Sequence, residues 1–163
     1  MNPTHTPPSI RQAQTTDIPQ LAQLYYETVR RHAPTYYTEA QTQAWASFAQ
    51  DAKEFRQLFD GVITFVLEAD QEILGFGSLA ADGHVKAIYV RSDRLGEGLG
   101  SQLLQTIIHQ GAIAKIHRLY AEASEFSLGL FLKFGFQQFA TESIERNGVV
   151  FQRHLVEKVI DGH

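Results

Sequence analysis

The chain has 163 residues, 44% of them hydrophobic and 20% charged, the proportions of one globular domain with a sizeable core. A net charge of −4 with a pI near 5.9 offers no basic field to nucleic acid or to an anionic membrane surface. With no cysteine, disulfides, thiolate metal sites and a cysteine nucleophile are excluded, and the seven histidines form no HxxxH or HExxH pair, so no metal is expected.

Residues 1–8 are polar and proline-rich, lack an apolar signal core, and read as a disordered lead-in. No apolar run approaches the roughly 18 residues needed to span a bilayer, so a cytoplasmic location is expected. Ile10–Ala13 reads as a short first strand. In the segment that follows, Ile18, Leu21, Tyr25, Thr28 and Val29 share one helical face, with Thr16 as N-cap, Pro19 in the first turn and Pro34 as terminator. Thr38-Glu39-Ala40-Gln41 has the spacing of a capping box and opens a second helix through Trp45 to about Ala49; a third is expected over Ala52–Phe59.

After Asp60-Gly61 the pattern turns to strands. Val62–Glu68 and Glu72–Ala80 read as an antiparallel hairpin, and His84–Val90 follows the Asp82-Gly83 turn signal. A helix then carries Leu99, Leu103 and Ile107 at four-residue spacing. Leu119–Ala123 reads as a strand and Ser127–Phe134 as a short helix. Gln137–Ile144 and Val149–Val159 read as a closing hairpin whose Asn147-Gly148 favours a two-residue turn. The order is βααα-βββ-α-β-α-ββ, one mixed α/β domain over residues 9–160.

The chemistry concentrates in "RLGEGLGS", where Gly96, Gly98 and Gly100 lie between a strand and a helix. A helix N-terminus presents unpartnered N–H groups and a partial positive charge, and glycine lets backbone approach an anionic ligand closely. A Walker loop would need Lys-Ser/Thr after its last glycine, but Ser101-Gln102 stands there. The dinucleotide fingerprint G-x-G-x-x-G also fails, because the spacing here is G-x-G-x-G, late in the chain and after antiparallel strands.

The loop resembles instead the acetyl-CoA pyrophosphate loop of the GNAT superfamily of N-acetyltransferases, V-(x)n-R/Q-x-x-G-x-G/A. The run "FLKFGF" at Phe131–Phe136 is similar to that family's Y-x-x-x-G-F, and the element order matches from Ile10 to about Glu157. Two positions depart from the pattern: Leu95 stands where Arg or Gln is preferred, with Arg94 one earlier, and Phe131 replaces a tyrosine that protonates the departing thiolate. The resemblance implies a mixed, mostly antiparallel seven-stranded sheet with helices on both faces. It implies an acetyltransferase moving an acetyl group from acetyl-CoA to a primary amine of a small molecule or peptide, by direct attack in a ternary complex, without a metal. Many such proteins form a homodimer through the C-terminal strands or first helices.

Carried onto this chain, the resemblance assigns Leu95, Gly96, Glu97, Gly98, Leu99, Gly100 and Ser101 to the pyrophosphate. Ile88, Tyr89 and Val90 would run beside the pantetheine arm, with a backbone N–H of Val90 or a neighbour facing the thioester oxygen. Ser124 and Phe131 complete the cofactor set. With Phe131 unable to donate a proton, an acid would come from water or Tyr89, or the thiolate would leave unassisted. For the base that takes the amine proton there are two candidates. His84 matches the position of a glutamate base in histone-type members, six residues before Val90, and has a reference pKa near 6.5. Glu122 lies at the end of the strand expected to splay from Ile88–Val90. Each also suits a plain role, His84 as a turn residue and Glu122 as a solvated strand-end carboxylate. Tyr36 and Tyr37, in the loop after Pro34, are candidate acceptor-pocket residues, with hydroxyl tips on apolar bodies. The different-class alternative is an acyl-CoA sensor that kept the fold and lost the chemistry.

Overall fold

The computed structural model describes residues 7–160, so most of the expected N-terminal lead-in, residues 1–6, lies outside the described residues. Seven strands and five α-helices follow in the expected order: β1 (Ser9–Gln12), α1 (Ile18–His32), α2 (Glu39–Ser47), α3 (Ala52–Gln57), β2 (Val62–Ala69), β3 (Glu72–Ala80), β4 (Val85–Val90), α4 (Leu99–Ile113), β5 (Arg118–Ala123), α5 (Leu128–Lys133), β6 (Gln137–Arg146) and β7 (Val149–Val159). The strands form two sheets rather than one, β1-β2-β3-β4 and β5-β7-β6, and every pairing within them is antiparallel.

The helices cover both faces of the larger sheet. Strand alternation sends Val66, Phe76 and Ala87 to one face, where they meet Leu21, Tyr25 and Val29 of α1. It sends Leu67 and Val90 to the other, against Leu99 and Leu103 of α4, and the β2–β3 register shift at Leu67/Glu68 turns Leu74 to that face as well. Helix α4 also joins the sheets, since Leu104 and Ile107 pack with Leu119, Ala121 and Val156 of the smaller one. Leu103, Leu104 and Ile107 are fully buried, the burial that holds this helix in place.

The two sheets meet at a single point. Strands β4 and β5 are joined by one parallel bridge, His84 to Tyr120, with the Tyr120 N–H donating to the Gly83 carbonyl at 3.0 Å. Gly83 permits this approach: its φ is +99°, and a Cβ there would lie 2.0 Å from the Arg118 carbonyl oxygen. Beyond the bridge β4 and β5 pair no further, and a cavity occupies the space between them.

Several boundaries differ from the expected ones. The first helix begins after a 3-10 turn at Thr15–Asp17, so Asp17 rather than Thr16 holds the N-cap position. Asp17 instead takes two hydrogen bonds from Arg11 and one from the Gln14 N–H. The Thr38–Gln41 capping box forms as expected, and the Gln41 amide also reaches the Val150 carbonyl at 3.0 Å, tying α2 to the closing hairpin. Strand β6 extends to Arg146, so Asn147 and Gly148, at φ +51° and +77°, make the whole turn.

Candidate active site

A cavity of about 680 Å³ runs between β4 and β5. The glycine loop forms part of its wall, through Leu95, Gly96, Gly98, Leu99, Gly100 and Ser101. Gly98 is the N-cap of α4 at φ +79°, Gly96 is at +84°, and a Cβ on either would enter open space. Neither glycine serves packing within the chain. Both keep bare N–H groups clear in front of the helix N-terminus, a surface that fits a phosphate and that a side chain would fill. Ser101 lies under the Lys133 ammonium, Nζ to Oγ 3.3 Å. The side chains of Arg94 and Glu97 pair with each other at 2.8 Å, and Glu97 does not line the cavity.

Ile88, Tyr89 and Val90 all line the cavity. The Arg91 N–H bonds to Leu74 across the sheet, and neighbouring residues of a strand present their backbone groups to opposite edges. The backbone of Val90 therefore faces the splay, and its carbonyl takes the Thr28 hydroxyl at 2.8 Å. Tyr89 turns its ring toward α1 and α2, stacks near Phe76 and Tyr25, and accepts a hydrogen bond from the Trp45 indole at 3.3 Å. Burial pushes both the Tyr89 and Tyr25 phenols up, so each stays protonated at neutral pH.

His84 and Glu122 stand together. His84 Nε2 is 2.8 Å from one Glu122 oxygen and 3.0 Å from the other, while the His84 ring stacks on Tyr120 with the planes 3° apart. Glu122 lines the cavity and His84 stands behind it. Burial pushes the Glu122 carboxyl up, but the His84 hydrogen bond and the charges of His84, Arg153 and Lys86 outweigh it and hold the group below its ordinary value. Tyr120 donates to Asp82 at 2.6 Å, and that carboxylate pushes the phenol up to about 12.

Ser124 and Ser127 are engaged with one another, each backbone N–H bonding the other's hydroxyl, in a cavity-lining turn that opens α5. Phe131 lines the cavity, is 4% exposed, and packs edge-to-face on Phe136. Tyr37 lines the cavity and its hydroxyl accepts from the Glu125 N–H at 2.8 Å. Tyr36 points outside, 58% exposed and edge-to-face on Phe126. Sequence reasoning missed Arg146 and Arg153, which line the cavity from β6 and β7. The alternation of those strands, with Glu142, Ile144 and Arg146 facing Arg153, Phe151 and Val149, was the signal that places them on one face. Among the described residues no three of His, Asp or Glu gather as a metal site would need, and no helix is long and apolar enough to cross a membrane.

A two-sheet α/β fold with a splayed strand pair, opening beside a glycine-rich helix start, is the arrangement of an acyl-CoA-dependent transferase. The acetyltransferase (GNAT) domain family matches residues 33–157, and the chain belongs to that family. It is similar to an L-methionine sulfoximine/L-methionine sulfone acetyltransferase of Pseudomonas paraeruginosa, 31% identical over 79% of this chain and 80% of the relative. The counterpart from Pseudomonas aeruginosa is 29% identical over the same shares. The fold matches a GCN5-related N-acetyltransferase from Rhodopseudomonas palustris at a TM-score of 0.90, with 22% identity over 98% of this chain and 100% of that one. It matches the paia N-acetyltransferase of Thermoplasma acidophilum, solved with coenzyme A, at 0.78, with 15% identity over 95% and 100%. The protein is an acetyl-CoA-dependent acetyltransferase.

Proposed function

We propose that this chain is an N-acetyltransferase whose acceptor is a primary amine, attacked directly in a ternary complex. The observation that carries this reading is the Glu122 carboxylate, backed by His84 at 2.8 Å and facing the space where β4 and β5 part. Support for the donor comes from the glycine loop, and from the coenzyme A bound by the Thermoplasma acidophilum structural neighbour. Acetyl-CoA supplies the activated acyl group as a thioester.

The chain's own residues do the rest. The N–H groups from Leu95 to Ser101 hold the pyrophosphate, with Lys133 and Arg94 adding positive charge at that end. The edge of β4 that faces the splay offers the Val90 N–H to the thioester oxygen, where charge grows during attack. An ammonium has no lone pair, so a base must first take its proton. Glu122 is the carboxylate on the cavity wall and takes that proton directly or through one water. His84 is a positioning residue, fixing the carboxylate from behind. Phe131 offers no proton, and a thiolate is a good enough leaving group to depart without one. The exposed first half of β6 is the edge that a homodimer through the C-terminal strands would cover.

Calorimetry with acetyl-CoA, paired with thiol release against a panel of primary amines, tests the reading. Binding together with release is expected. Binding without release from any amine would instead mark an acyl-CoA sensor.

A further inference from the structure

Resting on the amine transfer proposed above, we infer that the acceptor carries a carboxylate as well as its amine, and that Arg146 is the residue that holds this carboxylate. The charges on the cavity wall are lopsided. Lys133 and Arg94 belong to the loop end, where Lys133 meets Ser101. The remainder of the wall presents Lys86, Arg146 and Arg153 against a single lining carboxylate, Glu122, although the chain as a whole is net negative at −4. An acceptor with several positive charges meets repulsion there, whereas one with an amine and an anion meets a partner for each.

The three cations are not equivalent. Arg153 is taken up internally, bonded to Glu142 and 3.9 Å from Glu122, and its role is to order that carboxylate. Lys86 lies close enough to Glu122 to help hold its proton affinity down. The Arg146 guanidinium lies over the Phe48 ring, 4.7 Å from its centroid, and its nearest carboxylate among the described residues is Glu54 at 3.6 Å. That separation is too long for a hydrogen bond, so the planar five-donor fork keeps the geometry to take a carboxylate. Phe48 in turn packs on Tyr25 of α1, ring centroids 5.6 Å apart, which places Arg146 on the α1 side of the cavity.

The walls beside Arg146 are aromatic: Tyr37, Trp45, Phe48 and Phe151. Glu122 and Arg146 line this same cavity, so a zwitterion with an apolar or weakly polar side chain finds there a partner for its amine, a partner for its carboxylate and aromatic wall for the rest. An amino acid meets this description, and a polyamine does not.

The test compares each amino acid with its own carboxamide, using thiol release from acetyl-CoA. The wild-type protein is expected to favour the free acid by about tenfold or more in kcat/KM, the size of a charge-assisted hydrogen bond. Arg146→Gln is expected to raise KM for the acid and bring the acid-to-amide ratio toward one, with the acetyl-CoA affinity retained in calorimetry. Arg146→Lys is expected to restore part of that ratio. Equal use of acid and amide by the wild-type protein, or a ratio unchanged in Arg146→Gln, overturns the inference while leaving amine transfer standing. No thiol release from any acid, amide or simple amine overturns the transfer reading itself.

Discussion

The His84 imidazole and the Glu122 carboxylate, 38 residues apart in the chain, meet at 2.8 Å where β4 and β5 separate. One is the last paired residue before the splay and the other faces the cavity beyond it. The sequence offers them as competing bases, whereas the geometry makes them a pair with distinct positions. Glu122→Gln is expected to lower kcat/KM by about 10²–10⁴, the usual range of general acid–base catalysis, without changing acetyl-CoA affinity. His84→Ala removes a hydrogen bond that holds the Glu122 pKa down. The carboxyl then keeps its proton to higher pH, so the acidic limb of the kcat/KM profile shifts upward. A profile that does not move refutes the positioning role.

Gly98 supports a prediction that separates binding from folding. Its φ of +79° disfavours any side chain, but a Cβ there would touch nothing within 4 Å. Gly98→Val is therefore expected to cost about 1–2 kcal/mol through backbone strain and still fold. Its acetyl-CoA affinity should fall by tenfold or more, because the valine fills the space in front of the helix N-terminus. Calorimetry and a thermal melt on the same sample distinguish the two effects.

Gly83 predicts the opposite balance. Here a Cβ would collide with the Arg118 carbonyl, at 2.0 Å, and backbone cannot move aside as a side chain can. Gly83→Ala is expected to destabilise the fold by more than the ~1–3 kcal/mol of left-handed strain alone, read from the urea midpoint. It should also lower activity, since the same approach sets His84 beside Glu122.

Asp17 makes stability depend on acid pH. Hydrogen bonds from Arg11, with a smaller one from the Gln14 N–H, outweigh burial and lower its pKa in the folded state. As pH falls the unfolded chain binds this proton first, so the contribution is complete above about pH 3.9 and is lost as pH drops through the folded value. Asp17→Asn should therefore flatten the fall of melting temperature below pH 4. Parallel curves for variant and wild type count against the Arg11–Asp17 account.

Much of the architecture was legible because it is written in local terms. Period-2 and four-residue spacings marked the strands and helices, Thr38 and Gln41 marked a helix start, Asn147-Gly148 marked a hairpin, and three glycines marked the strand-to-helix loop that lines the cavity. Tyr36 and Tyr37 show where local reading stops, since adjacent residues in the same loop go to different sides and only Tyr37 reaches the cavity. Arg146 shows it again: alternation assigns it a face of β6, and only the packing of that face decides which cavity its side chain lines.

The sequence by itself determined the elements, their order, the glycine loop and the family resemblance, since each depends on spacing within one segment. The tertiary structure decided that the strands divide into two sheets, that Glu122 faces the cavity with His84 behind it, and that Arg146 shares that cavity. Those outcomes depend on how segments far apart in the chain approach one another, and that approach turns on contacts such as Gly83 against Arg118, which no single segment contains.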